Sequence, residues 1–243
     1  MPSSGFRLTS EVGPLSALTF NRGRSGRRSP YWQGRPARFA AAAFSKQLRH
    51  VGVAVQGTAS TGETADDATL VTEWRSPSVA DLLRLMNPPS DNFMAETFVK
   101  VLGARFGTSG TTAGGTRVVL DELAELGVEP QVVDGSGLSR GDRTSPRDVV
   151  STLEAMDGDA SFTGSLAIAG RTGTVAERMR GTSAQDRCRA KTGTLRDVSA
   201  LAGYCTSASG GNVAFAFLMN YVSPYSARIL QDRMAAALAT YVR

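Results

Sequence analysis

Long apolar runs are missing from this 243-residue chain. The longest are Phe39 to Phe44 and Val213 to Met219. Both fall far short of the ~20 residues of a membrane span. The opening Met1-Pro2-Ser3-Ser4-Gly5 has no apolar core behind a basic start, so it is not expected to act as a signal peptide. Cysteine is nearly absent. Cys188 and Cys205 alone exclude a disulfide scaffold and a four-cysteine zinc site. The single histidine, His50, argues against a His-based triad or a His-rich metal centre and reads as a surface residue at a helix end. No metal site and no cofactor are implied. Lysine is scarce as well: Lys46, Lys100 and Lys191 stand against 24 arginines.

Acidic residues are missing between Val12 and Gly62, where eight basic residues accumulate. They are Arg22, Arg24, Arg27, Arg28, Arg35, Arg38, Lys46 and Arg49. Arg7 and Glu11 cancel before that stretch. The whole chain carries +5, so the remainder is net acidic. A basic segment of this kind reads as a solvated loop. No aromatic-interleaved platform, zinc finger or RNA-binding signature accompanies it, so no nucleic-acid partner is expected. With 41% hydrophobic and 20% charged residues the chain is expected to fold, and its length can bury a core.

Patterning predicts the elements. Residues 1–30 read as strand-and-loop material. A helix is expected over 36–49, then strands at 51–55 and 69–74. Ser78 is expected to cap a helix ending at Met86 before Pro88-Pro89. A second helix starts at Ser90-Asp91-Asn92 with Met94, Phe98, Val101 and Leu102 on its apolar face. A third runs from Gly115 to Leu126, with Val119, Leu123 and Leu126 aligned and Gly127 beyond its end. Pro146 opens a helix to Met156, and Val175 to Arg180 reads as another. Strands follow at 189–195, 198–205 and 212–219 on short turns, which makes them antiparallel. Ser223-Pro224 begins a terminal helix with Leu230, Met234, Ala237, Leu238 and Tyr241 on its apolar face. The class is α+β: a helical subdomain and an antiparallel sheet with a C-terminal helix.

Two short motifs carry chemistry. Ser90-Asp91-Asn92 stands at a helix N-terminus, and Lys191-Thr192-Gly193-Thr194 lies within a strand. Each alone is weak, because Ser-Asp-Asn also caps helices. Together they match two of the three elements, S-x-x-K, S-D-N and K-T-G, of serine acyl-transfer enzymes that react with penicillin. The Ser90 hydroxyl and Asn92 amide would face a cleft. Gly193 lets a substrate backbone approach the strand edge. Lys191 supplies a compact charge where a guanidinium fork would not serve. Arg171-Thr172-Gly173-Thr174 imitates the second motif but carries Arg and lacks apolar flanks. It reads as a turn near the site.

A third segment, Asp134-Gly135-Ser136-Gly137-Leu138-Ser139 followed by Thr144-Ser145-Pro146, narrows the family. With Val12 to Leu18, Met86 to Glu96 and Ala190 to Tyr204, it makes the chain resemble the class C low-molecular-mass penicillin-binding proteins of an actinobacterial type. These are D-alanyl-D-alanine carboxypeptidases/endopeptidases of peptidoglycan. The resemblance implies a penicillin-binding/β-lactamase-like transpeptidase fold. It implies Ser90, Asn92 and Lys191 as catalytic residues and Thr192, Gly193 and Thr194 as substrate-binding ones. It implies peptidoglycan D-Ala-D-Ala peptides and β-lactams as partners, and an extracytoplasmic place for the full-length enzyme.

One part of the pattern is missing. The residues three before Lys46, Lys100 and Lys191 are Ala43, Thr97 and Cys188, so no S-x-x-K occurs in the chain. In the family a large insertion separates that nucleophile from Ser-Asp-Asn. The chain therefore reads as an N-terminally truncated catalytic domain over 31–243, preceded by a remnant of the inserted domain over 1–30. A class A β-lactamase-like hydrolase is the alternative, disfavoured because its nucleophile should lie within the 89 residues before Ser90. A non-catalytic wall-binding module using the basic segment is a third reading.

The hairpin makes a further expectation. A turn at Arg196-Asp197 pairs residues equidistant from it, so Cys188 would face Cys205 at antiparallel spacing. They would be either a disulfide, suited to an oxidising compartment, or two buried thiols.

Overall fold

Eight strand residues, a two-residue polar turn and nine more strand residues build the central hairpin. In the computed structural model, which describes residues 11–27 and 29–242, β2 (Cys188–Leu195) and β3 (Val198–Thr206) pair antiparallel around Arg196-Asp197. Arg7, Arg28 and the first third of the 1–30 segment lie outside the described residues. β4 (Asn212–Asn220) pairs with β3 on the other side, and the two-residue β1 (Ala167–Ile168) pairs with β2 only at Ala190 and Arg189. The sheet order is β1-β2-β3-β4, all antiparallel. From Lys191 onward the outer edge of β2 therefore has no strand partner among the described residues.

Side chains alternate across the sheet. Leu201, Cys205 and Phe215 point to one face, where α7 (Pro224–Thr240) lies with Ala235 and Ala239. Tyr204 and Ala202 point to the other, where Leu153 and Val149 of α5 (Pro146–Met156) pack with Leu166. Helix, sheet and helix thus form three layers. Cys188 and Cys205 are direct cross-strand partners under α7 and are joined as a disulfide in the buried core. Reducing it should lower the unfolding free energy by about 2–3 kcal/mol, as expected for a loop of this size. A urea titration with and without reductant measures this; coincident curves would contradict it.

Ser78 caps where it was expected, and α5 carries a cap not foreseen from the sequence. Ser78 accepts from Asp81 N at the start of α2 (Val79–Met86). Ser145 and Asp148 form a reciprocal capping box on α5.

The faces of three helices differ from the expected ones. In α3 (Asn92–Phe106) the buried residues are Phe93, Glu96, Val99 and Gly103, while Val101 is exposed. α4 (Thr112–Glu125) starts earlier than Gly115, capped by Thr111, and Leu126 is exposed. Glycine supplies the reason: the two helices cross in near backbone contact. A Cβ on Gly115 would stand 1.7 Å from the Val99 carbonyl oxygen, so small residues rather than large apolar ones mark the interface. α7 likewise buries Ala227, Gln231, Ala235 and Ala239 and leaves Leu230 and Tyr241 exposed. A short-side-chain face lets the helix lie close over the disulfide.

Residues 175–180 form a 3-10 turn (Gly173–Val175) and bends rather than a helix. Gly173 and Met179 take positive φ, which interrupts helical geometry. The short helix α6 (Ala160–Thr163) precedes β1.

Residues up to Ser76 form a separate unit from Pro77 onward. In the first unit, α1 (Pro36–His50) is mostly exposed and buries only Pro36 and Ala40. Arg24 lies over the Trp32 ring, 3.5 Å from its centroid. Gln33 Nε2 donates to the carbonyls of Phe20 and Arg24. The segments expected as strands at 51–55 and 69–74 are a turn at Val51-Gly52 and irregular chain, with Val53, Val71 and Trp74 exposed. β-propensity reflects packing on neighbours, and neither segment has a ladder partner among the described residues.

Candidate active site

The double proline sets the first half of the site. Pro88-Pro89 cannot continue α2, so the chain turns before α3. Ser90 N donates to Asn87 O, Asp91 N donates to Met86 O, and Ser90 adopts φ 59°. A left-handed serine is uncommon and costs of order 1 kcal/mol. Asp91, not Ser90, caps α3 by accepting from Met94 N at 3.0 Å. The capping task therefore falls to the middle residue of Ser-Asp-Asn, and the Ser90 hydroxyl stays available. Asn92 is the first residue of α3 and half-buried, and among the described residues no hydrogen bond engages its amide. The Asn87 amide ties the turn to Ser165 at 2.7 Å.

The second half is β2. Lys191 Nζ donates to Ser90 Oγ at 2.6 Å and to the Thr192 carbonyl at 2.8 Å. Residues 101 positions apart thus meet at one hydrogen bond. Burial lowers the Lys191 pKa from 10.5 to about 8, because the cation is largely removed from water. Thr192 Oγ1 donates to Thr174 Oγ1 at 2.8 Å. Thr174 N in turn donates to Pro88 O at 2.9 Å. The Arg171 to Thr174 turn therefore lies beside the site without supplying its cation. Arg171 itself is held in a two-pronged ion pair by Asp186. Gly193 and Thr194 are exposed at the open edge of β2, opposite Ala200 and Ser199.

A cavity of about 550 Å³ opens beside Lys191, between the sheet and α5, lined by Leu153, Phe162, Leu166 and Ala202 among others. Asp134, at the start of the 134–139 loop, also lines it. Asp134 is buried and accepts from Gly137 N and Ser139 N at 2.6 and 2.7 Å. Glu96 of α3 is 3% exposed, and its Oε1 accepts from Gly135 N, Ser136 N and Ser136 Oγ at 3.1, 3.0 and 2.7 Å. Asp142 lies close to Asp134, and burial raises its pKa.

The structure brings together Ser90, Lys191 and Thr192. Gly193 and Thr194 continue along the same strand edge. The anchoring role of Glu96 was missed; its signal is a carboxylate in register with Phe93, Val99 and Gly103 on a helix. Arg228, whose Nη2 reaches Thr194 Oγ1 at 3.1 Å, has no local sequence signal. Among the described residues no cluster of His, Cys, Asp and Glu suits a metal ion, and no helix is long and apolar enough to cross a membrane.

The chain is similar to known proteins in sequence and fold. The D-alanyl-D-alanine carboxypeptidase of Actinomadura sp. (strain R39) is 36% identical over 221 residues, covering 85% of this chain and 41% of that protein. The crystal structure of penicillin binding protein 4 (dacB) from Haemophilus influenzae, complexed with a β-lactam, is 28% identical with a TM-score of 0.71. That match covers 84% of this chain and 51% of the other. A β-lactamase from Chitinophaga pinensis shares the fold, with a TM-score of 0.52 at 18% identity. The chain thus spans about two fifths of the R39 enzyme and about half of the crystallised protein. The model of the D-Ala-D-Ala carboxypeptidase 3 (S13) family matches residues 31–241, and the chain belongs to that family.

Proposed function

We propose that these residues form the proton-relay and carboxylate-binding half of a serine-type D-Ala-D-Ala carboxypeptidase/endopeptidase site acting on peptidoglycan stem peptides. The Lys191–Ser90 hydrogen bond carries the reading. A terminal D-Ala-D-Ala would lie antiparallel to the open edge of β2. The Thr194 hydroxyl would receive its carboxylate, joined by the Thr192 hydroxyl once that turns from Thr174 toward the ligand, and Asn92 would bind the amide of the preceding residue. A serine nucleophile, its hydroxyl proton taken by the lysine of its own S-x-x-K motif, attacks the penultimate D-Ala carbonyl, forms an ester and breaks the C–N bond. The leaving amine takes its proton from Ser90 Oγ, which recovers one from the Lys191 ammonium. Water then hydrolyses the ester. A lysine with pKa about 8 exchanges protons readily near neutral pH, as a relay requires.

An S-x-x-K nucleophile is not among the 243 residues, so the acylation step lies outside what they can perform. The cavity of about 550 Å³ beside Lys191 adjoins the strand edge assigned to the peptide. β-Lactams are the second ligand class of this reading. The Cys188–Cys205 disulfide supports an extracytoplasmic location for the full-length enzyme, since such bonds persist in oxidising compartments. Residues 31–243 are assigned to the catalytic domain.

Two measurements test this reading. Intact-mass analysis after incubation with benzylpenicillin should show the unmodified mass; a stoichiometric adduct would overturn the missing-nucleophile part. NMR titration with N-acetyl-D-Ala-D-Ala should shift resonances of Ser90, Lys191 and Thr194. A titration that leaves all three unmoved would overturn the assignment of the site.

A further inference from the structure

We propose that Arg228 is a further carboxylate-recognition residue, extending the donor row of Lys191, Thr192 and Thr194 past the end of the Lys-Thr-Gly-Thr motif. The proposal rests on the placement of the peptide carboxylate at Thr192 and Thr194 described above.

Four observations support it. First, Arg228 Nη2 donates to Thr194 Oγ1 at 3.1 Å. The Thr194 oxygen is thereby engaged as an acceptor, which leaves its O–H free to donate to an incoming anion. Donor chains of this kind polarise one another. Second, Arg228 has no carboxylate partner among the described residues. Its natural helix partner four residues on, Asp232, is held by Arg178 at 2.7 Å. The guanidinium therefore reaches the strand edge with donors to spare, and its fork matches a carboxylate in two-point geometry.

Third, the backbone that presents Arg228 is fixed. Arg178 Nη2 reaches the Arg228 carbonyl, and one turn on the buried Gln231 Oε1 accepts from Ser199 Oγ at 3.2 Å. Ser199 is the cross-strand partner of Thr194, so α7 is pinned at the level of the motif's last residue. Fourth, Lys191 is poorly suited to hold an anion alone. Burial brings its pKa to about 8, and two of its three donors are already used by Ser90 Oγ and the Thr192 carbonyl. The Arg228 guanidinium instead stands exposed at the strand edge, with further donors unengaged among the described residues. The two cations then divide the work: Lys191 serves the proton relay and Arg228 the anion.

The test compares N-acetyl-D-Ala-D-Ala with its C-terminal amide by NMR titration of the full chain, for wild type, Arg228→Ala and Arg228→Lys. Wild type should prefer the free acid. Arg228→Ala should weaken acid binding about five- to tenfold, in line with loss of one charge-assisted contact, and leave amide affinity within twofold. Arg228→Lys should recover part of the acid preference. An unchanged acid preference in Arg228→Ala would overturn the proposal while the site assignment stands. Equal loss for acid and amide would overturn it as well, marking Arg228 as a structural support. Wild type binding neither ligand would overturn both the proposal and the reading beneath it. A thermal melt of Arg228→Ala matching wild type shows that the variant is folded, as expected for an exposed helix position.

Discussion

Glu96→Ala is expected to lower the unfolding free energy by about 3 kcal/mol or more, the largest effect of any single side-chain truncation near the site. The carboxylate is 3% exposed, and one oxygen takes three donors from the 134–139 loop. Removing it leaves two backbone N–H groups and the Ser136 hydroxyl facing a void. Each buried unsatisfied donor costs roughly 1–3 kcal/mol, partly relieved if water enters. The loop cannot settle onto α3 to compensate. A Cβ on Gly135 would already stand 2.7 Å from the Ala95 carbonyl oxygen, so the two backbones are at closest approach. Glu96→Gln retains an acceptor at the same place without the charge and should cost about half as much. Urea midpoints of the two variants measure the difference. A Glu96→Ala protein within 1 kcal/mol of wild type would show that the loop is held by Asp134 alone. Asp134 of this loop also lines the cavity beside Lys191, so D-Ala-D-Ala peptide affinity should fall together with stability in Glu96→Ala and recover with it in Glu96→Gln.

Glu96 also shows where the sequence was opaque. A carboxylate between Ala95 and Thr97 reads as a solvated position, because charged side chains are rarely buried without partners. Its partners are 39 and 40 residues away, and no local pattern announces them. The same physics misdirected the faces of α3 and α7. Both place small residues on the buried face, Gly103 in one and Ala227, Ala235 and Ala239 in the other, where the chain packs closely, beside larger buried groups such as Phe93 and Gln231. Periodicity weighted by hydrophobicity selects Val101 and Leu230 instead, and both are exposed. The β2–β3 hairpin was legible for the opposite reason. Its register follows from the polar turn at Arg196-Asp197, so pairing Cys188 with Cys205 needed only local information. The site lies between these cases. Ser-Asp-Asn and Lys-Thr-Gly were readable as motifs, and the Ser90–Lys191 contact follows from their shared chemistry. Thr174 and Arg228 come from elements that only the tertiary fold brings to the strand edge.

Between pH 7 and pH 9.5 the folded protein should gain about 2 kcal/mol of stability, and Lys191→Met should abolish that gain. The folded-state pKa of Lys191 is about 8, against 10.5 for the exposed group. Below pH 8 the amine is charged in both states, and the folded state bears the full cost of holding the cation away from water. As pH rises from 8 toward 10.5, the folded state releases its proton while the unfolded state keeps it. The unfolded state then binds more protons, so stability rises with pH across that window. The complete gap corresponds to roughly 3 kcal/mol. Tyr204 works in the other direction at higher pH. Its hydroxyl is buried on the Leu153 carbonyl, and burial raises its pKa from 10.0 to about 12. The unfolded tyrosine ionises first, so stability falls as pH rises from 10 toward 12. A maximum near pH 10 is therefore expected, with Lys191 responsible for the rising limb and Tyr204 for the falling one. Urea unfolding across pH 7–11 locates the maximum. In Lys191→Met the rising limb should flatten while the falling limb remains; in Tyr204→Phe the reverse should hold. A rising limb that survives in Lys191→Met would mean that the amine is hydrated and its pKa ordinary. The relay would then lack the amine, titrating near neutrality, on which proton exchange with Ser90 depends.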